Sequence, residues 1–146
     1  MVDRLAIGHA YEQALFAGDM DALAGYFTDD ITYWVAGVPP IGGEWKGRDA
    51  VVRAFANREA GLGPGDWAYE EVRRDWSVAG KDAVVVEIRE RSWLKRYPDD
   101  VMDQRTCCIL HFRGSHIATI EDYTDSQIYE QFLARHRAEL PKFCRP

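Results

Sequence analysis

The sequence predicts an α+β fold of N-terminal helices, a run of antiparallel strands and a closing helix, which would make a cone-shaped barrel if the sheet curves around the first helices. Three observations carry this reading. Apolar residues near the N-terminus recur at helical spacing, those between Trp67 and Tyr123 alternate with period two, and Thr124-x-x-Gln127 reads as a capping box before a last helix. Helices first, then antiparallel strands, then a helix is the α+β order. A sheet curved around helices forms a cone, and a cone leaves a pocket.

Ile7, Ala10, Tyr11, Ala14 and Leu15 form one apolar stripe on a first helix, which Gly18 stops. Asp19 caps a second short helix whose face is Met20, Leu23, Ala24 and Phe27. Thr28-Asp29-Asp30 turns into a strand from Ile31 to Ala36, with Ile31, Tyr33 and Val35 on one side. The Gly/Pro-rich stretch Gly37–Gly47 reads as a long loop, either a functional rim or a rigid crossing. A third helix runs from Arg48 to about Glu59, with Val51, Ala54, Phe55 and Arg58 on one side, and Gly61-Leu62-Gly63-Pro64-Gly65 ends it. Strands follow at Trp67–Val78, Asp82–Leu94, Val101–Arg113 and His116–Tyr123. Gly80-Lys81 and Gly114-Ser115 are the tight turns between them. The last helix turns Ile128, Phe132 and Leu133 inward, with Pro141 beyond its end and a loose tail past Lys142, where Phe143 can dock on a partner subunit.

Composition bounds the function. The chain has 146 residues, the size of one domain, and a net charge of −6. A domain of that size buries roughly 68–70% of its unfolded surface, enough for a core without staples. The acidic balance argues against nucleic acid as a partner and against docking on anionic membranes. The 5 Trp, 7 Tyr and 6 Phe suit a wide apolar cavity or simply an aromatic core. Cys107, Cys108 and Cys144 have no metal-ligand or redox-motif spacing and suit a reducing cytoplasm. No signal-peptide pattern and no apolar run of membrane-spanning length is present, so a soluble cytoplasmic protein is expected. Neither a phosphate-binding glycine loop nor a nucleophile elbow occurs, and no cofactor or metal is expected.

The candidate chemistry lies on the strands. Val84, Val86 and Ile88 alternate with Val85, Glu87, Arg89 and Arg91, so the charged set faces either water or a polar cavity. Asp122 shares a face with Ala118 and Ile120. It is either a carboxyl in apolar surroundings, suited to general acid/base work, or an exposed strand end beside the capping residue Asp125. Glu121 lies on the opposite, solvated face. Tyr11 and Tyr33 lie in apolar stripes; a buried phenol aimed into a cavity donates to a developing oxyanion, and otherwise bonds a backbone carbonyl. The histidines His9, His111, His116 and His136 read as structural or exposed, with His111 an outside candidate for acid/base work.

The segments Ala10–Asp19 and Tyr26–Tyr33, the helix start Gly47-Arg48-Asp49-Ala50-Val51 and the closing Ile117–Asp125 resemble SnoaL-like proteins. These form the polyketide-cyclase branch of the NTF2-like superfamily, related to limonene-epoxide-hydrolase-like and ketosteroid-isomerase-like proteins. The resemblance covers nearly the whole chain. It implies helices in a cone-shaped sheet, a homodimer, and a hydrophobic pocket for a small molecule. Against the epoxide-hydrolase-like set, Asp122, Arg89 and Tyr33 match, Arg91 stands at the second carboxylate unless a strand bulge brings in Glu87, and Val35 replaces an asparagine. Against the isomerase-like set Tyr11 matches, while Val35 and Leu110 stand where acids are expected. The implied site has Asp122, Arg89, Tyr33 and Tyr11 as catalytic residues, with Val35, Glu87, Arg91 and Leu110 lining the pocket. The implied activity is cofactor-free acid/base chemistry: cyclisation, isomerisation or dehydration, with epoxide opening as the alternative. A non-catalytic binder or dimerisation module, its outer sheet face made by Trp76, Val78, Val84, Val86 and Ile88, is the competing class.

Overall fold

A computed structural model describes residues 1–39, 42–61 and 67–136, except the side chains of 57–61 and 67. The expectations for Pro40, Arg58, the Leu62–Gly65 stop, Pro141, Phe143 and Cys144 lie outside what is described. The elements run α1 (Arg4–Ala17), α2 (Met20–Gly25), β1 (Phe27–Val35), β2 (Gly43–Lys46), α3 (Arg48–Gly61), β3 (Trp67–Ala79), β4 (Ala83–Leu94), β5 (Met102–Arg113), β6 (His116–Thr124) and α4 (Ser126–His136). All six strands join one curved sheet in the order β2-β1-β6-β5-β4-β3. The α+β class is therefore as the sequence predicts.

Local chemistry explains the helix boundaries. Asp3 caps α1 by accepting from the Ala6 N–H at 3.0 Å, and Asp19 caps α2 from Ala22 at the same distance. Gly18 ends α1 in the left-handed region, φ 68°, which a glycine enters without steric cost. At the other end of the chain the expected capping box does not form. Asp125 is the residue that caps α4, accepting from the Ile128 N–H at 3.2 Å, while the Thr124 hydroxyl bonds Gln104 across the sheet.

The sheet departs from expectation in three ways. Phe27 begins β1 instead of facing inward from α2. The glycine-rich stretch carries a short edge strand, β2, paired antiparallel to β1 through Tyr33↔Trp45 and Val35↔Gly43. And β1 runs parallel to β6, so the sheet is mixed; a parallel pair needs a long crossover, and the whole chain between the two strands supplies it. The β3–β6 meander is antiparallel throughout, with two irregularities, one in the β3–β4 pair between Glu71 and Arg73 and one in the β5–β6 pair between His111 and Phe112.

Alternation assigns the two faces. Val84, Leu110, Ile120, Tyr33 and Val35 point to the concave side, where they join α1, α2 and α3 in one apolar core, and Val86 is buried on the same face. Of the expected dimer surface, Trp76, Val84, Val86 and Ile88 therefore belong to this inner face and do not form an outer one, while Val78, opposite Val84 at the sheet edge, is 60% exposed. A second apolar cluster joins Leu94 and Met102 to Phe132 and Leu133 of α4. Helix α1 fits closely against β3: a Cβ on Gly8 would come within 2.9 Å of the Trp76 ring. Beside it Glu12 pairs with Arg74, which also holds Glu71 at 2.8 Å.

Burial raises the Glu12 carboxyl above its ordinary 4.5, and the Arg74 guanidinium only partly offsets this. The folded state therefore holds this proton more tightly than the unfolded chain, so ionising Glu12 opposes folding. Relative to Glu12→Gln, the stability of the wild type should fall as pH rises from about 4.5 through the raised value. Urea unfolding of both proteins across that window checks this.

Candidate functional site

The β1–β6 pairing builds the site. Its register sets Val35 beside Asp122 and Tyr33 beside Ile120, all on the concave face. Across the next pair Cys108 lies opposite Asp122, and Val86 and Trp76 continue the row through β4 and β3. Tyr33 donates its hydroxyl hydrogen to Asp122 Oδ2 at 3.3 Å. The Tyr33 ring is fixed between Phe55 at 4.7 Å and Trp45 at 5.3 Å, so the phenol cannot swing away from the carboxyl. Asp122 is half-buried, and its Oδ1 is out of contact with solvent.

Tyr11 enters from α1. It is buried against Phe27 and Phe55. Burial first, then the negative charge available on Cys108, Tyr33, Asp122 and Glu12, pushes its phenol well above the usual 10.0. The hydroxyl therefore stays protonated at neutral pH and is a hydrogen donor. Tyr11, Tyr33, Cys108 and Asp122 are thus one electrostatically linked group. A carboxyl held by one phenol and neighboured by a second can take a proton while a phenol donates to the oxygen that gains charge.

The other expected site residues are elsewhere. Arg89, Arg91 and Glu87 lie on the convex face, because they alternate with Val86 and Ile88 on a strand whose pairing to β5 is unbroken. The irregularity of the β3–β4 pair falls on β3, so no bulge brings Glu87 inward. Arg89 makes a two-pronged bond to Asp103 at 3.0 and 2.8 Å, Arg91 reaches Glu70 at 3.4 Å, and Glu87 lies 4.0 Å from Arg73. The expectation that Arg89 orients Asp122 is thereby corrected, as are the lining roles of Arg91 and Glu87. Val35 and Leu110 do face inward, but both are packed in the core. His111 faces outward and pairs with Glu121 at 3.2 Å.

Sequence reasoning missed the inward polar residues. Between the two apolar clusters, the concave face carries Thr106, Thr124, Gln104, Glu90 and Ser92. Continuing the Val84-Val86-Ile88 alternation reaches Glu90 and Ser92, and that signal was present in the sequence. Among the described residues no group of three or more His, Cys, Asp or Glu is placed to hold a metal ion. None of the described helices is long and apolar enough to cross a membrane.

A curved mixed sheet closed by helices, with a phenol-held carboxyl on its concave side, makes this an α+β protein with a candidate acid/base site. More narrowly, the chain belongs to the SnoaL-like domain family, which matches residues 8–120. Solved structures share the fold. An NTF2-like protein from Burkholderia xenovorans superposes with a TM-score of 0.72 at 18% identity, over 88% of this chain and 94% of that one. A candidate polyketide cyclase from Xanthomonas campestris pv. campestris gives 0.66 at 15% identity, over 89% and 96%. An LEH-like epoxide hydrolase from M. tuberculosis gives 0.63 at 18% identity, over 93% and 92%. At these identities the likeness is one of fold. No curated protein matches the sequence.

The two faces make separable predictions. Arg89→Met should leave the Asp122 carboxyl signal and its NMR titration unchanged, whereas Tyr33→Phe, which removes a bond to that carboxyl, should raise its pKa. Equal responses to the two substitutions would contradict the assignment of faces.

Proposed function

We propose that the protein is a cofactor-independent acid/base enzyme that binds a small, largely apolar molecule against the concave face. The observation that carries this reading is the hydrogen bond from Tyr33 to Asp122 on that face. In its ionised form Asp122 takes a proton from the carbon next to a carbonyl, and the bonding pair moves into an enolate. The enolate oxygen accepts a hydrogen bond from the protonated Tyr11 phenol, whose lifted pKa keeps its proton in place. Returning the proton at another carbon is an isomerisation. Attack by the enolate carbon on a second carbonyl of the same molecule is a ring closure, and loss of a β-hydroxyl as water is a dehydration.

Epoxide opening is the second reading. A tyrosine beside a carboxyl is suited to holding a water, and the fold is shared with an LEH-like epoxide hydrolase. The outward placement of Arg89 counts against it, since no arginine from that pair of positions reaches Asp122.

Exchange of α-hydrogens for deuterium in a panel of hydrophobic ketones, followed by NMR, tests proton transfer without knowledge of the true substrate. Asp122→Asn should slow exchange by about 10²- to 10⁴-fold, the usual contribution of a positioned acid or base. Tyr33→Phe should slow it roughly tenfold, as expected for loss of one hydrogen bond. If Asp122→Asn binds ketones and exchanges them as the wild type does, the protein is a binder and not an enzyme.

We further propose that two copies pair through the convex face. Trp34 and Tyr123 meet edge-on there at 5.0 Å, with Tyr123 45% exposed, and Cys107 and Ile109 stand half-exposed beside them. Sedimentation should give a dimer that Tyr123→Lys converts to monomer, and a monomeric wild type at high concentration rejects the idea. The free thiol of Cys107 supports a cytoplasmic location.

A further inference from the structure

The polar band on the concave face has no part in the chemistry at Asp122, and it is an unusual thing to find between two apolar clusters. Ser92 is 6% exposed and Gln104 5%. The Ser92 hydroxyl oxygen is shielded from solvent and has no hydrogen-bond partner among the described residues. Burying a hydroxyl in that state is unfavourable, and an alanine there would avoid the penalty. Gln104 is held differently: its amide nitrogen donates to the Thr124 hydroxyl, which also accepts from Thr106 at 3.3 Å. This fixes the plane of the amide, so its direction is set before any ligand arrives.

The register gives the spacing. Cys108 lies opposite Asp122, Gln104 is four residues further along β5, and Ser92 pairs with Met102 one step beyond Gln104 on the same face. At about 3.3 Å per residue Gln104 lies roughly 13 Å from the Asp122 row. Ile88 and Thr106 fill the face between them, both partly exposed although they point inward.

We infer that Ser92 and Gln104 form a second subsite, which binds an uncharged hydroxyl at the end of the ligand remote from the reacting carbon. This rests on the proposed binding of an apolar molecule against the concave face. A hydroxyl both donates and accepts, which matches the serine hydroxyl and the amide side chain. A carboxylate is a poorer match than a hydroxyl, because it cannot donate to the amide oxygen and because Glu90 stands opposite Gln104 on the same face. The ligand class is accordingly an elongated carbonyl compound, apolar in the middle, with an alcohol at its far end.

Calorimetry with a ten-carbon methyl ketone and its terminally hydroxylated and terminally carboxylated counterparts tests this. The hydroxylated ketone should bind about tenfold or more tightly than the plain one, and the carboxylated one no more tightly. Ser92→Ala and Gln104→Leu should each reduce that preference while leaving affinity for the plain ketone unchanged. Asp122→Asn should retain the preference, which separates failure of the subsite from failure of the proton-transfer reading. Ser92→Ala should also melt at or above the wild-type temperature, since its hydroxyl bonds nothing among the described residues. Equal affinity for the plain and hydroxylated ketones, a preference that survives both substitutions, or a clear fall in melting temperature for Ser92→Ala would overturn the subsite. Failure of all three ketones to bind would overturn it together with the pocket itself.

Discussion

The site depends on the register between β1 and β6, where Val35 stands beside Asp122 and Tyr33 lies one row away beside Ile120. These strands are far apart in sequence and run parallel, so no turn sets their alignment. It is set by burial: Ile31, Tyr33 and Val35 on one strand and Ile117 and Ile120 on the other all lie in the core. A slip of one residue would carry this whole set to the opposite face, which is why the register is firmly specified. The same burial orients Asp122, which has little apolar surface of its own to decide the matter. The core thus places the carboxyl, and the Phe55–Tyr33–Trp45 stack then directs a phenol at it.

The two faces of the sheet spend their charged residues differently. On the convex side Arg89, Arg91 and Arg73 meet Asp103, Glu70 and Glu87, and these are largely exposed pairs. Pairs of that kind add little to stability, because water screens them and long side chains lose freedom in making them. On the concave side Glu12 and Arg74 are mostly shielded, and the Glu12 carboxyl is raised because burial outweighs the attraction of its partner. Their position between α1 and β3 suggests what is gained: a fixed seat for the helix that carries Tyr11.

How much of this could be read from the sequence follows from which signals are local. The helix stripes, the cap Asp19, the strand alternation and the hairpin at Gly114 are local, and they give the α+β class and most boundaries to within a residue or two. The edge strand β2 is four residues long and buries little, so its pattern is too short to stand out from a glycine-rich loop. The parallel pairing of β1 with β6 is a long-range choice with no local signature. Of the candidate site residues, Asp122, Tyr33 and Tyr11 fall on the inner side as expected because each lies in an apolar stripe. Arg89 was misplaced because the family resemblance outweighed the alternation of its own strand, which already set it opposite to Val86 and Ile88. Glu90 and Ser92 were overlooked for the converse reason: a period followed only through its apolar members stops where the polar ones begin.

That interruption is itself informative. If stability alone governed the inner face, the rows between the two apolar clusters would be filled with the same Val, Ile and Leu that precede and follow them. Instead Ser92 and Gln104 are buried there, and Thr106 and Thr124 are tied to each other and to Gln104. Polar side chains of this kind weaken a core unless each is satisfied, and a partly satisfied set is worse than an apolar one. Breaks in local consistency of this sort are expected at functional sites. The same argument applies to the other end of the face, where a carboxyl and two phenols share a region that aliphatic side chains would otherwise fill. The two departures lie on one surface and are separated by a stretch whose residues point inward yet keep partial exposure. This arrangement follows if one elongated ligand completes both, with its reacting end at Asp122 and its polar end at Ser92.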